Sequence, residues 1–205
     1  MAPVTHARVN ATPATSVVCR PLLRPEDCDA LLAGLAGARW EPGLTAVPDD
    51  RDVASGPRRS CVLTRDVPEA LLTNVIAEVT RLGRDHFGYD LTGPSADDPP
   101  QVMRYTVGDE FDWHFDCGID APPYGTRKLS FSVQLSDPAD YDGGDLELAA
   151  YQLGYSPEVL TPQRAAARGR GVLLAFGAFH VHRVSPVTRG ARHALVGWIH
   201  GPAFR

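Results

Sequence analysis

The chain predicts a mainly β fold, a double-sheet jelly roll preceded by helices. Three observations carry that prediction. Residues 101–200 fall into short apolar, β-rich runs separated by turn residues. The first hundred residues instead hold two stretches with apolar side chains at helical spacing. With 205 residues, 43% hydrophobic and 22% charged, the chain has ordinary globular composition and length enough for one large core.

The elements follow in order. Met1 to Ser16 is rich in Ala, Thr and Pro, lacks the apolar centre of a signal peptide, and is expected to be a loose arm. Val17 to Leu23 reads as a strand. Pro25-Glu26-Asp27 opens a helix that runs to about Gly37, with proline tolerated in the first turn and acids near the positive end. Glu41 to Ser60 is polar and contains Asp49-Asp50-Arg51-Asp52; a solvated loop and a segment over a site mouth are both open readings. From Pro68 to His86, the residues Leu71, Leu72, Val75, Ile76, Val79 and Leu82 mark a second helix with one apolar face. Strands are then expected at about 101–107, 111–116, 127–136, 144–149, 171–176, 179–187 and 191–200, the last two joined by a turn at Thr188-Arg189-Gly190. Such a series suits two packed sheets. Residues 17–205 therefore read as one domain, with 17–100 as helical support and 101–200 as the jelly-roll core.

Two loops interrupt the strands. Cys117 to Thr126 is one, and Ala150 to Arg170 is the other. The longer holds Tyr151, Tyr155, Arg164 and Arg168, and long loops in compact domains often carry recognition. A net charge of −5 argues against a nucleic-acid footprint. No run of 18 apolar residues suggests a membrane span. The four cysteines, at 19, 28, 61 and 117, form no C-x-x-C pair, so free thiols and a cytoplasmic location are expected.

The chemistry-bearing pieces are His114-Phe115-Asp116 and, 66 residues after Asp116, His182. In an extended strand, residues i and i+2 share a face, so His114 and Asp116 converge while Phe115 turns away. Two imidazoles and one carboxylate can hold one face of an octahedral Fe(II). Catalytic Zn²⁺ accepts the same set, although the helical H-E-x-x-H pattern of zinc hydrolases is absent. His180 lies two residues before His182 and could share its face. Arg192 follows His182 by ten residues within apolar strand sequence. On the expected hairpin it faces the same cavity, and its planar fork suits a carboxylate.

These stretches resemble the Fe(II)- and 2-oxoglutarate-dependent oxygenases, within them the prolyl 4-hydroxylase-like group and the bacterial PKHD-type hydroxylases. The resemblance rests on RYTVGDEFDWHFD (104–116), RKLSFSVQLSDPADYDGGDLEL (127–148) and FHVHRVSPVTRGARHALVGW (179–198). It implies a double-stranded β-helix, the cupin-like form of the jelly roll. It implies His114, Asp116 and His182 as catalytic iron ligands, with His182 chosen over His180 by the Arg-Val-x-Pro-Val that follows. Arg192 then grips the distal carboxylate of 2-oxoglutarate, and Tyr105 and Gln134 are further co-substrate contacts. Trp198, Arg127, Tyr151 and Tyr155 are substrate-pocket candidates.

The implied cofactors are Fe(II), 2-oxoglutarate and O2, with ascorbate as a supporting reductant. The implied reaction hydroxylates an unactivated C–H bond of an amino acid, an amino-acid-like metabolite or a peptide residue, with release of succinate and CO2. Asp116 favours hydroxylation over halogenation, since halogenating relatives lack the carboxylate ligand. Desaturation or cyclisation by the same cofactors, or a non-catalytic metal-binding jelly roll acting as sensor or scaffold, are the alternatives. The expected partner is a small-molecule or peptide substrate, with no nucleic acid or membrane.

Overall fold

A computed structural model describes residues 17–43, 62–118, 123–149 and 167–203. The elements in chain order are β1 (Val17–Pro21), α1 (Pro25–Gly34), β2 (Glu41–Pro42), β3 (Val62–Thr64), α2 (Glu69–Asp85), β4 (Gln101–Thr106) and β5 (Phe111–His114). There follow β6 (Arg127–Gln134), β7 (Tyr141–Gly143), β8 (Leu146–Leu148), β9 (Val172–Gly177), β10 (His182–Val184) and β11 (Val187–His200). A single 3-10 turn at Tyr124–Thr126 leads into β6.

Among the described residues the strands form a large sheet in the order β1-β9-β6-β11-β4-β3-β2, with β7 joined to the start of β11, and a small sheet in the order β5-β10-β8. All the pairings are antiparallel. This is the jelly roll with helices that the sequence predicts. The support region gives more than helices, because β1, β2 and β3 all join the large sheet.

The period-two alternation of β6 divides the interior. Leu129, Phe131 and Val133 face outward to the helices and join Val102, Leu173, Ala175, Leu195 and Ile199 in the main core. Helix α2 supplies Val75, Val79 and Leu82 to that core, and α1 supplies Cys28 and Leu31. Burying each large aliphatic side chain contributes roughly 1.5–3 kcal/mol. Ser130, Ser132 and Gln134 alternate with these residues and face the opposite way, toward the small sheet. Their cross-strand partners are Trp198, Val196 and Ala194 on β11, and Phe176 lies opposite Ser130 on β9. A second cluster, containing Met103, Tyr105, Val184 and Val187, closes the space between the sheets at one end.

The expected hairpin between His182 and Arg192 does not form. His182 lies on β10 of the small sheet and Arg192 on β11 of the large one. Pro186 stands in the crossing between them and offers no backbone N–H to extend β10. Thr188-Arg189-Gly190 is likewise no turn but part of β11. The positive φ of Gly190, 69°, absorbs the bend, and the register with β7 shifts between Val187 and Arg189. No helix of the described residues is long and apolar enough to cross a membrane.

Candidate metal centre

Antiparallel pairing builds the site. His114 on β5 lies directly opposite His182 on β10, with ring centroids 4.2 Å apart. Asp116 follows β5, two residues past His114, and its backbone N–H donates to the Ala178 carbonyl at 2.9 Å. Its carboxylate reaches both rings, with Oδ1 3.6 Å from His114 Nε2 and Oδ2 3.5 Å from His182 Nε2. One ligand atom from each residue lies within 4.8 Å of the others.

The protonation pattern suits a metal. His114 Nδ1 lies 2.7 Å from the Asp112 carbonyl and His182 Nδ1 lies 2.9 Å from the His180 carbonyl. Each contact places the proton on Nδ1 and leaves an Nε2 lone pair facing the carboxylate. Burial, with His182 beside it, pushes His114 down to about 4, so the ring is neutral at pH 7. Burial works against ionisation of Asp116, but His182, His114 and a hydrogen bond from Ser130 outweigh it and hold the carboxyl below its ordinary value. Two imidazoles and one carboxylate fit a hard-to-borderline divalent ion such as Fe(II) or Mn(II). His180 is 1% exposed, contacts the Gly177 carbonyl at 3.2 Å, and stands outside this group.

A small pocket opens along the same face of the large sheet. Its lining includes Ser132, Gln134, Tyr141, Arg168 and Arg192. None of His114, Asp116 and His182 lines it; the link between them is β6, on which Ser132 of the pocket stands two residues from Ser130, whose hydroxyl touches Asp116. Arg192 is 4% exposed, yet among the described residues no carboxylate pairs with it. Its guanidinium meets the Tyr141 hydroxyl and lies 5.3 Å from the Tyr105 ring. Gln134 Nε2 is buried without a hydrogen-bond partner. A buried cation and a buried amide donor in one pocket fit an anionic ligand with several acceptor oxygens, which a dicarboxylate supplies.

The other predicted residues are placed as follows. The Tyr105 hydroxyl lies 3.5 Å from Met103 Sδ, and Tyr105 does not line the pocket. Arg127 is buried and engaged. It donates to both oxygens of Asp98 at 2.7 and 2.8 Å, stacks on Trp198 at 3.4 Å and Tyr124 at 4.6 Å, and reaches the Asp116 carbonyl at 3.3 Å. Trp198 thus packs on Arg127, on the site side of the sheet. Arg168 pairs with Asp145, donates to the Gly143 and Tyr141 carbonyls, and lies 4.5 Å over the Tyr141 ring. Tyr151, Tyr155 and Arg164 lie outside the described residues, as does most of 41–60.

Tyr141, Ser130 and Asp98 are the site neighbours that sequence reasoning missed. Tyr141 lies inside the stretch 127–148 that carries the family resemblance, and the polar alternation Ser130, Ser132, Gln134 was legible along β6. Asp98 carried no signal, since its partners Arg127 and His200 are remote in sequence.

Comparison with known proteins places these residues in context. The model for "2OG-Fe(II) oxygenase superfamily" matches residues 100–200. A PKHD-type hydroxylase of Paracoccus denitrificans is 30% identical over 182 residues, covering 86% of this chain and 74% of that protein. A PKHD-type hydroxylase of Pseudomonas fluorescens is 34% identical over 104 residues, covering 49% of this chain but only 42% of its own length. Among solved structures, a prolyl hydroxylase from Trichoplax adhaerens, in complex with a hypoxia inducible factor oxygen degradation domain peptide fragment, aligns with TM-score 0.64 and 19% identity. That alignment covers 93% of this chain and 84% of the other. A Pseudomonas putida prolyl-4-hydroxylase aligns with TM-score 0.55 and 17% identity, over 95% and 89% of the two chains. At these identities the structural likeness is one of fold.

Proposed function

Since the chain belongs to the 2OG-Fe(II) oxygenase superfamily, we propose that it is a hydroxylase acting on an unactivated C–H bond of an amino acid, an amino-acid-like metabolite or a peptide residue. The observation that carries this reading is the combination of the His114, Asp116 and His182 group with a nearby pocket holding a buried Arg192 that pairs with no carboxylate among the described residues. A scaffold or sensor needs no such cation. Iron with 2-oxoglutarate and O2 supplies the oxidising chemistry, in which the co-substrate leaves as succinate and CO2 and one oxygen atom enters the substrate.

The chain's own residues position and protect. His114, Asp116 and His182 hold the ion. Arg192 takes the far carboxylate of 2-oxoglutarate, with the Tyr141 hydroxyl beside it as a donor; burial raises that hydroxyl and keeps it protonated, despite Arg192 and Arg168. The Gln134 amide offers a further donor to the bound acid. Phe176, edge-on to His182 with centroids 4.8 Å apart, keeps water from that ligand. Asp116 occupies the position that a halide would need, which favours hydroxylation over halogenation.

The test is a screen of free amino acids, related metabolites and peptides with Fe(II), 2-oxoglutarate and O2. Mass spectrometry reads a gain of one oxygen while succinate is assayed in parallel. Oxygen gain matched by succinate supports the reading, and the substrate that gains it separates metabolite from peptide. Turnover without 2-oxoglutarate or O2 would instead mark a hydrolase. Loss of two hydrogens with equal succinate would mark desaturation or cyclisation.

A further inference from the structure

The three ligand residues are not held alike. His114 and His182 sit on paired strands, each with Nδ1 fixed by a backbone carbonyl. Asp116 lies beyond the end of β5, so no strand pairing orients its side chain. What orients it is Ser130, whose hydroxyl donates to Asp116 Oδ2 at 2.6 Å. Ser130 is 2% exposed and lies in the middle of the large sheet, paired with Phe176 on one side and Trp198 on the other. Its backbone is therefore among the least movable points in the fold. Leu129, Phe131 and Val133 of β6 turn outward to the main core, and the Ser130 hydroxyl is the group the strand directs at the carboxylate.

Resting on the reading of His114, Asp116 and His182 as metal ligands, we infer that Ser130 is the positioning residue of the centre: it ties Asp116 Oδ2 to the large sheet and so fixes how the carboxylate is presented to the metal. With one oxygen engaged by the serine, the carboxylate would offer a bound ion a single donor, which would leave room for a two-point co-substrate and for O2. A short hydrogen bond to an ionised acceptor is of the stronger kind, and its rigid donor fixes the carboxylate plane as well as its place.

The experiment compares wild type, Ser130→Ala, Ser130→Thr and His182→Ala by anaerobic Fe(II) titration and by the visible absorption of the Co(II)-loaded proteins. Loss of an outer hydrogen bond of this kind typically weakens metal binding about 10- to 100-fold, so Ser130→Ala is expected to fall in that range. Ser130→Thr keeps the hydroxyl and should restore affinity to within a few-fold of wild type. The Co(II) spectrum should change in Ser130→Ala, where the carboxylate can turn to offer both oxygens, and return in Ser130→Thr. A serine that merely packs would leave that spectrum unmoved. Unchanged Fe(II) affinity with an unchanged Co(II) spectrum in Ser130→Ala overturns the inference. If the alanine variant does not fold, Ser130→Cys, with similar volume and a weak donor, carries the same expectation and the same refutation. His182→Ala separates the two layers of argument. If it binds Fe(II) as wild type does, the metal-centre reading fails; if it loses the ion while Ser130→Ala keeps it, only the role of Ser130 fails.

Discussion

A guanidinium that is 4% exposed has shed most of its hydration, and Arg192 recovers little of it from the described residues. Tyr141 contributes one hydroxyl and Tyr105 a ring face. A carboxylate ligand therefore gains a charge-assisted pair of about 1.5–3 kcal/mol. Arg192→Ala should weaken 2-oxoglutarate about 10- to 100-fold in an anaerobic titration of metal-loaded protein, while Mn(II) affinity holds. Arg192→Lys should fall between, keeping the charge without the fork. Equal affinity in wild type and Arg192→Ala would remove Arg192 from the pocket's function.

Gln134 gives an opposite sign for stability. Its buried Nε2 has no hydrogen-bond partner among the described residues, which costs about 1–3 kcal/mol. Gln134→Leu should leave the thermal midpoint of the ligand-free protein equal or higher, yet weaken 2-oxoglutarate. A lowered midpoint would show that the amide already has a partner.

Among the elements, β11 has two jobs. Its first residues pair with β7, and the remainder pairs with β4 and β6. Arg192 stands just past the bend. Gly144 lies beneath it with φ of 63°, and a Cβ there would come within 2.9 Å of Val187 Cγ2 and 3.0 Å of Arg192 Cδ. Gly144→Ala should therefore weaken 2-oxoglutarate more than Mn(II), in the same pair of titrations, because it displaces the guanidinium and not the ligands. An equal loss of both would mean that the strain spreads through the sheet.

Polar–apolar alternation made β6 legible, while near-continuous apolar runs made β9 and the second half of β11 legible, since those strands are largely buried on both faces. Strands β2 and β3, of two and three residues, are too short for any period to register. The strand expected over 179–187 is only His182–Val184, because Ala178 turns its carbonyl to the Asp116 and Cys117 N–H groups before the chain enters the small sheet.

At the scale of the whole molecule, the ligand group was legible and its setting was not. His114 at the end of β5, Asp116 two residues beyond it and a distant histidine carry their own chemistry in their spacing, although the strand expected to reach Asp116 stops at His114. Asp98, Arg127 and His200 come together only when β6 and β11 pair, which local pattern cannot state. His193 illustrates how burial then acts at a distance from the site. Burial, followed by Arg104 and Arg192, pushes it down to about 4, whereas an unfolded histidine protonates near 6.5. The unfolded chain thus binds the proton first as pH falls. Stability from this residue is complete above about 6.5 and is lost toward 4, with a limiting slope of about 1.4 kcal/mol per pH unit. Denaturant midpoints of metal-free protein should fall across that window, and less steeply for His193→Gln. Parallel profiles for the two proteins would assign the acid sensitivity elsewhere.

The ligand group also straddles the two sheets. Two imidazoles belong to the small sheet, and the carboxylate is tethered through Ser130 to the large one. An ion gripped there acts as a rivet, since the layers cannot part without releasing it. At a free concentration 100 times its dissociation constant, such an ion adds about 2.7 kcal/mol against every opening that expels it. Mn(II) should then slow amide exchange about 100-fold in β5 and β10, whose separation frees the ion. It should leave β1 and β2, at the two borders of the large sheet, exchanging as before, because fraying there disturbs no ligand. Uniform slowing along the chain would mean instead that the layers open only together, and that the ion fastens a body already moving as one.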